Sequence, residues 1–349
     1  MRRRIAPPAG APIRAIFSAF ATISFCAALS LCAACGAIVG PDPASSPAAL
    51  FDQVWSDFDL HYSLFVVKQV NWDSLRAVYG PRALAASDPE GASTVIASML
   101  SKLQDDHVLW RGSRVGTPPH GDYLAPTFTF GNYVVYGGDL PGGISYGTVS
   151  PTVGYIVFTT FEGSGWLSSV DSAITLLGGV SAIIIDVRNN GGGFLENATG
   201  AAGRFADRTT TVAYIRYRNG PAHSDFAAPM AQQVVPAGSR RFAGKVYLLT
   251  SRNTISAAEL FVLSMRALGN TTVVGDTTAG ETGSPFAREL QNGWSYLFPE
   301  SMELTLDGHE FENIGLPPDV TVENSIDDIN KRNLDAQLLR AIGLAAGKP

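Results

Sequence analysis

The chain has 349 residues, of which 46% are hydrophobic and 16% charged, with 36 glycines and 21 prolines. This length and apolar content support a sizeable core and exclude global disorder, while the turn-forming residues point to an α/β or β-rich body rather than a helical bundle. The formal charge is −6 and no basic stripe runs along the chain, which excludes nucleic acid as a partner class.

Arg2, Arg3, Arg4 and Arg14 open the chain, no acidic residue precedes Asp42, and an uncharged apolar stretch runs from Ala15 to Cys35. These are the parts of a secretory signal. All three cysteines, Cys26, Cys32 and Cys35, lie in this stretch, so a processed chain holds no internal disulfide. Leu31-Cys32-Ala33-Ala34-Cys35 resembles a bacterial lipobox, in which Cys35 becomes the lipidated first residue. Residues 1–35 are therefore read as an export signal of lipoprotein type, with an ordinary signal peptide or an uncleaved anchor as the alternatives. An acidic, exported, cysteine-poor chain fits the cell envelope, in the periplasm or at the outer surface, held to the membrane by its lipid.

Residues 36–49, rich in Pro, Ser and Ala, read as a tether. From Leu50 the pattern turns helical. Phe51, Val54, Trp55, Phe58, Tyr62 and Phe65 recur at three- and four-residue steps and share one core-facing stripe. Trp72 to Tyr79 marks a second helix with Asn71 as its cap, and Ser93 to Leu103 a third. Residues 50–115 thus form a small helical domain. Residues 116–349 form the second domain, beginning with hairpins over 117–147. Strands follow at Gly154–Phe158, Ala182–Val187, Lys245–Thr250 and Thr272–Gly275, with helices at Leu167–Leu177, from Glu196, and at Ser256–Leu268. Strand and helix in alternation predict crossover units on a mainly parallel sheet. Trp294–Phe298 reads as a strand and Ile326–Ala346 as one closing helix.

Open α/β sheets bind ligands at the carboxyl ends of their strands. Two such ends are unusual. Asp186-Val187-Arg188-Asn189-Asn190-Gly191-Gly192-Gly193 can aim backbone N–H groups at a phosphate or an oxyanion, or form a plain turn; no Lys-Ser/Thr follows, as a phosphate loop needs. Ser256, where a loop enters a helix, is a helix cap or a nucleophile at a helix N-terminus. No His-x-x-x-His or cysteine pair offers a metal site, so neither metal nor other cofactor is expected. His61, His120, His223 and His309 are read as surface or packing residues.

Arg188-Asn189-Asn190-Gly191-Gly192-Gly193, Thr254-Ile255-Ser256-Ala257-Ala258-Glu259, Gly275-Asp276-Thr277-Thr278-Ala279-Gly280 and Gly315-Leu316-Pro317-Pro318-Asp319-Val320 occur in that order. Together with the helical start and Leu103-Gln104-Asp105-Asp106-His107, this set resembles the tail-specific, or C-terminal processing, serine protease family, over roughly Leu50 to Glu323. The resemblance implies an α/β, crotonase-like ββα spiral core behind a small N-terminal helical domain. The PDZ domain of many relatives is not expected, because only His107 to Gly154 separates the helical part from the core. One branch of the family pairs Ser with Lys in a Gly-Lys-Gly setting. Here Gly280 is followed by Glu281, and no Lys stands between Lys245 and Lys331. The chain therefore resembles the other branch, which includes the tricorn core protease and the interphotoreceptor retinoid-binding proteins. That likeness implies Ser256 as nucleophile, His107 as base and Glu312 as supporting carboxylate, with the oxyanion hole formed by the N–H groups of Ala257 and Gly192. The expected function is an exported serine endopeptidase acting on unfolded or loosely structured polypeptide. The alternative is a non-catalytic binding protein for an apolar ligand or peptide on the same fold.

Overall fold

Ser46 starts the first helix. Its hydroxyl accepts the Ala49 N–H at 3.3 Å, and Pro47 follows in the first turn, where no N–H partner is needed. The computed structural model describes residues 45–115 and 133–348. The leader with Cys35, tether residues 36–44, His120 and the first part of the expected hairpin region lie outside them. Helix α1 (Pro47–His61) therefore takes in the last residues assigned to the tether, and Tyr62 and Phe65 fall beyond its end yet stay buried. Helix α2 (Trp72–Leu84) is capped by Asn71, whose side chain accepts the Ser74 N–H at 2.9 Å. Helix α3 (Pro89–Leu100) begins earlier than the apolar pattern predicts, because Asp88 caps it and Pro89 is pre-set for helix. It runs on into a 3-10 turn, Ser101–Leu103.

The short strands β1 (Leu109–Trp110) and β2 (Ser113–Arg114) follow, then the hairpin β3 (Val135–Leu140) and β4 (Ile144–Ser150). The main crossover units are β5 (Val153–Phe158), α4 (Trp166–Leu176), β6 (Ala182–Asp186), α5 (Leu195–Gly203), β7 (Thr210–Tyr217), β8 (Met230–Val234), β9 (Lys245–Thr250), α6 (Ala257–Ala267) and β10 (Thr271–Gly275). The chain closes with β11 (Pro285–Glu289), β12 (Ser295–Pro299), β13 (Ser301–Leu304), β14 (Val320–Thr321), α7 (Ile326–Arg332) and α8 (Ala336–Ala345). The expected single closing helix is two. Asn333 adopts a left-handed conformation at φ 50° and stops α7, and Asp335 caps α8 by accepting the Leu338 N–H at 3.0 Å.

A seven-stranded sheet has the order β14-β10-β9-β6-β5-β4-β3. Its strands from β5 to β14 are parallel, and β3 and β4 add an antiparallel edge. Every residue of β5 and β6 is buried because alternate side chains enter two cores. Ile156, Ile183, Ile185, Val246 and Leu248 face α4, α5 and α6, while Tyr155, Ile184, Leu249 and Val274 face α8. A third core joins α1–α3 to residues far along the chain, including Tyr296, Phe298, Met302 and Leu304. Phe58 meets Phe298 with ring centroids 4.2 Å apart, and Trp55 stacks on Trp72 at 6.3 Å. The N-terminal helices thus share their interior with β12 and β13, which carries the loop after α3 onto the parallel sheet. Among the described residues no helix is long and apolar enough to cross a membrane.

Candidate active site

Strands β6 and β9 are parallel neighbours, with Asp186 opposite Leu249, so the loops leaving their carboxyl ends run side by side. The Thr254 hydroxyl donates to the Val187 carbonyl at 2.9 Å, and the Ile255 N–H to the Asn190 carbonyl at 3.0 Å. Asn190 is fully buried; its side chain donates to the Phe158 carbonyl at 3.0 Å and accepts the Gly192 N–H at 2.9 Å. Three strand ends are locked together around the glycine loop.

Ser256 sits at φ 58°, ψ −123°. A capping residue normally keeps an extended backbone, so Ser256 is more than a cap. A side chain held at such a positive φ costs on the order of 1–3 kcal/mol. A sharp strand-to-helix turn of this kind can project a side chain away from the backbone at the head of a helix. Ala257 is buried and is the first residue of α6, so its N–H has no acceptor within the helix. Gly192, at φ 92°, lies against this turn: a Cβ there would stand 2.8 Å from the Ser256 Cβ and 3.1 Å from the Ala257 nitrogen. Ser256, Ala257 and Gly192 are therefore one cluster. The Gly192 N–H is given to Asn190, so an oxyanion would have to draw it away from that side chain.

Glu259, fully buried on α6, holds the turn from beneath. Its carboxylate accepts the N–H groups of Ser256 at 3.2 Å, Gly280 at 2.8 Å and Glu281 at 2.9 Å, and the Thr278 hydroxyl at 2.6 Å. Burial pushes its carboxyl up to about 8, although all four donors favour the charged form.

His107 follows the 3-10 turn after α3. Its N–H donates to Asp105 Oδ1 at 2.8 Å, while Asp105 Oδ2 accepts the Tyr62 hydroxyl at 2.7 Å. A ring nitrogen of His107 and carboxylate oxygens of Asp105 and Glu281 all lie within 4.8 Å of one another. Among the described residues the buried His107 Nδ1 takes no hydrogen-bond partner. Both Asp105 oxygens are engaged, and the Lys68 ammonium lies within electrostatic reach of Asp105 and Glu281. Asp106 turns outward to pair with Arg114.

Glu312 belongs to the same acidic group but has other partners. Its Oε1 lies 2.6 Å from the Lys68 Nζ, and its Oε2 accepts the Thr282 N–H at 2.7 Å and hydroxyl at 3.0 Å. Lys68 and Glu312 side chains are each 2% exposed. Burial, then Asp105, pushes the Glu312 carboxyl up to about 8 against the pull of Lys68. Burial alone would lower the Lys68 ammonium, but Asp105 and Glu312 together hold it above its ordinary value. Lys68 also donates to the Gln104 carbonyl at 2.9 Å and to Asn313 Oδ1 at 3.1 Å. Sequence reasoning misses Lys68, Tyr62 and Asp105 as site residues: Tyr62 reads as part of the apolar stripe, Asp105 only as part of the block before His107, and nothing local singles out Lys68. Glu281 was visible only as the residue after Gly280.

Residues 152–322 match the model of peptidase family S41, and residues 43–101 that of the tricorn protease C1 domain. The carboxy-terminal processing protease CtpA of Bacillus subtilis is 27% identical over 173 residues, 49% of this chain and 35% of that protein. A CtpA-like serine protease of Staphylococcus epidermidis is 30% identical over 144 residues, 41% of this chain and 28% of that protein. The chain thus spans about a third of the length of these curated relatives. The crystal structure of a candidate peptidase from Parabacteroides merdae matches with a TM-score of 0.73 and 29% identity, over 86% of this chain and 97% of that one. With the ordered motifs on adjacent strand ends and two family models over the helical part and the core, the chain belongs to the C-terminal processing protease family of serine peptidases.

Proposed function

We propose that the protein is an exported serine endopeptidase that cleaves unfolded or loosely structured polypeptide. The observation that carries this reading is the Ser256 turn: a strained backbone at a helix N-terminus, with the Ala257 N–H and the glycine loop beside it. Ser256 Oγ attacks the scissile carbonyl as His107 takes its proton, and His107 then returns that proton to the leaving amine. The oxyanion is held by the Ala257 N–H and by the Gly192 N–H released from Asn190. Glu312 and the acidic group it shares with Asp105 and Glu281 support the imidazolium. A cavity of about 300 Å³ lined by Gly163, Trp166, Leu167, Phe194 and Asn197 opens beside the loop and offers room for a substrate side chain. Export through the leader, with lipid on Cys35, would keep this activity in the cell envelope.

Labelling with a fluorophosphonate probe tests the reading. The wild type should label and cleave an unstructured casein-like substrate, with activity falling on acidification as the base becomes protonated. Ser256→Ala should do neither, and His107→Ala should lose several orders of magnitude in turnover. Full activity in His107→Ala would overturn the mechanism. The occupied Gly192 N–H favours a second reading, a binding protein on this fold, and an unlabelled, inactive wild type would support it. Palmitate incorporation lost in Cys35→Ser tests the anchor separately.

A further inference from the structure

We propose that Glu281 is the positioning residue for His107, and that Glu312 acts at one remove by holding Lys68. The inference rests on the reading of Ser256 and His107 as nucleophile and base.

Three carboxylates compete for the role, and their partners separate them. Asp105 uses one oxygen on the His107 backbone N–H and the other on Tyr62; it shapes the loop that carries the ring. Glu312 uses one oxygen on Lys68 and the other on Thr282. Glu281 ties the two halves of the site to each other. Its backbone N–H is fixed at 2.9 Å on Glu259 Oε2, the same atom that accepts the Ser256 N–H. Its carboxylate reaches the other way, where Oε2 accepts the Asp106 N–H at 3.4 Å beside His107, and one of its oxygens shares the 4.8 Å grouping with a ring nitrogen. Glu281 is fully buried. A negative charge at this place orients the ring and favours the imidazolium that forms when Ser256 gives up its proton.

The charged and titratable groups around His107 are Asp105 on its own loop, Glu281 on the loop after β10, and the Asp106–Arg114 ion pair towards solvent. Tyr62, Lys68 and Glu312 stand one contact further, and Glu259 lies beneath Glu281. Glu281→Gln keeps the shape and removes the charge.

Two measurements on the full chain decide the matter. In steady-state cleavage, Glu281→Gln should lower kcat by about 100-fold or more with little change in KM. The acid limb of its pH profile should move to lower pH, and Glu281→Asp should recover part of both effects. In the Ser256→Ala background, the His107 ring titration followed by NMR, assigned through His107→Ala, should shift down by about one unit in Glu281→Gln. Glu312→Gln should shift it less. The NMR arm needs no activity, so it stands even where the peptidase reading fails. Activity lost with the titration unmoved would leave Glu281 a merely structural residue and overturn the proposal. A larger shift in Glu312→Gln than in Glu281→Gln would overturn it in favour of Glu312.

Discussion

Ser256 is both the proposed nucleophile and a residue at positive φ, and the two roles can be separated. Ser256→Gly and Ser256→Ala should both be inactive, but glycine accepts φ 58° without penalty. The Gly variant should therefore melt higher than the Ala variant, by an amount worth on the order of 1 kcal/mol, less the glycine's greater unfolded-state entropy. Equal melting temperatures would show that the backbone there is not strained. Gly192 tests the neighbouring wall. Gly192→Ala places a Cβ 2.8 Å from the Ser256 Cβ and 3.0 Å from the Ile255 carbonyl, at a φ of 92°. We expect lost fluorophosphonate labelling and a lowered melting temperature; Gly191→Ala, with nothing within 4 Å of its Cβ, should be far milder.

At the level of elements, the closing helix α8 is fastened to the site from behind. Arg188, just past β6, is 1% exposed and pairs with Asp186 at 2.6 Å and with Asp335 at 2.8 Å. Tyr155 donates to Asp186 at 2.7 Å, and Gln337 accepts from Arg188 at 3.1 Å. Burial would lower the Arg188 guanidinium, but Asp186 and Asp335 hold it well above its ordinary value. The Arg188 carbonyl accepts from the Ser251 hydroxyl, so the network links α8 to the loops that frame Ser256. Asp335→Ala removes one partner of a buried charge and the cap of α8. It should cost about 3 kcal/mol and raise amide exchange along α8 and in the glycine loop. Exchange confined to α8 would mean that the helix is fastened without influencing the loop.

For the whole molecule, buried carboxyls set how stability changes with pH. Burial pushes Glu259 and Glu312 up to about 8 and Glu303 to about 7, from an ordinary 4.5. Between these limits the folded chain binds more protons than the unfolded chain, so stability falls as pH rises from about 4.5 to about 8. Asp335 acts oppositely: burial raises it, but Arg188 prevails and holds it below its ordinary 3.8. Its contribution is present above that value and lost on acidification. Thermal melts should therefore peak in the mildly acidic range and decline towards pH 8.5. The catalytic reading needs a neutral imidazole, so turnover rises where stability declines. A melting temperature that climbs from pH 5 to pH 8.5 would contradict the buried carboxyl set.

Much of this was legible before any fold was known, because the signals are local. Alternating and continuous apolar runs such as Ala182–Ile185 mark strands buried on both faces. Asn71 caps where its side chain can reach the N–H three residues on, and a Ser entering a helix beside a glycine-rich loop is visible as a pattern. The order of the motif blocks also implied the family and the α/β fold. The break at Asn333 was not legible, since a continuous helical pattern conceals a single left-handed residue. Nor was the sharing of one core by α1–α3 with β12 and β13, because contacts between residue 58 and residue 298 leave no periodic trace. The partners of the acidic group depend on the same long-range packing. Lys68 reaches Glu312 across 244 positions only because that shared core brings the helical part onto the sheet. Sequence determined which residues could do acid–base chemistry; tertiary structure decided which carboxylate meets Lys68 and which meets His107, because burial and distance, not residue type, assign charges their partners.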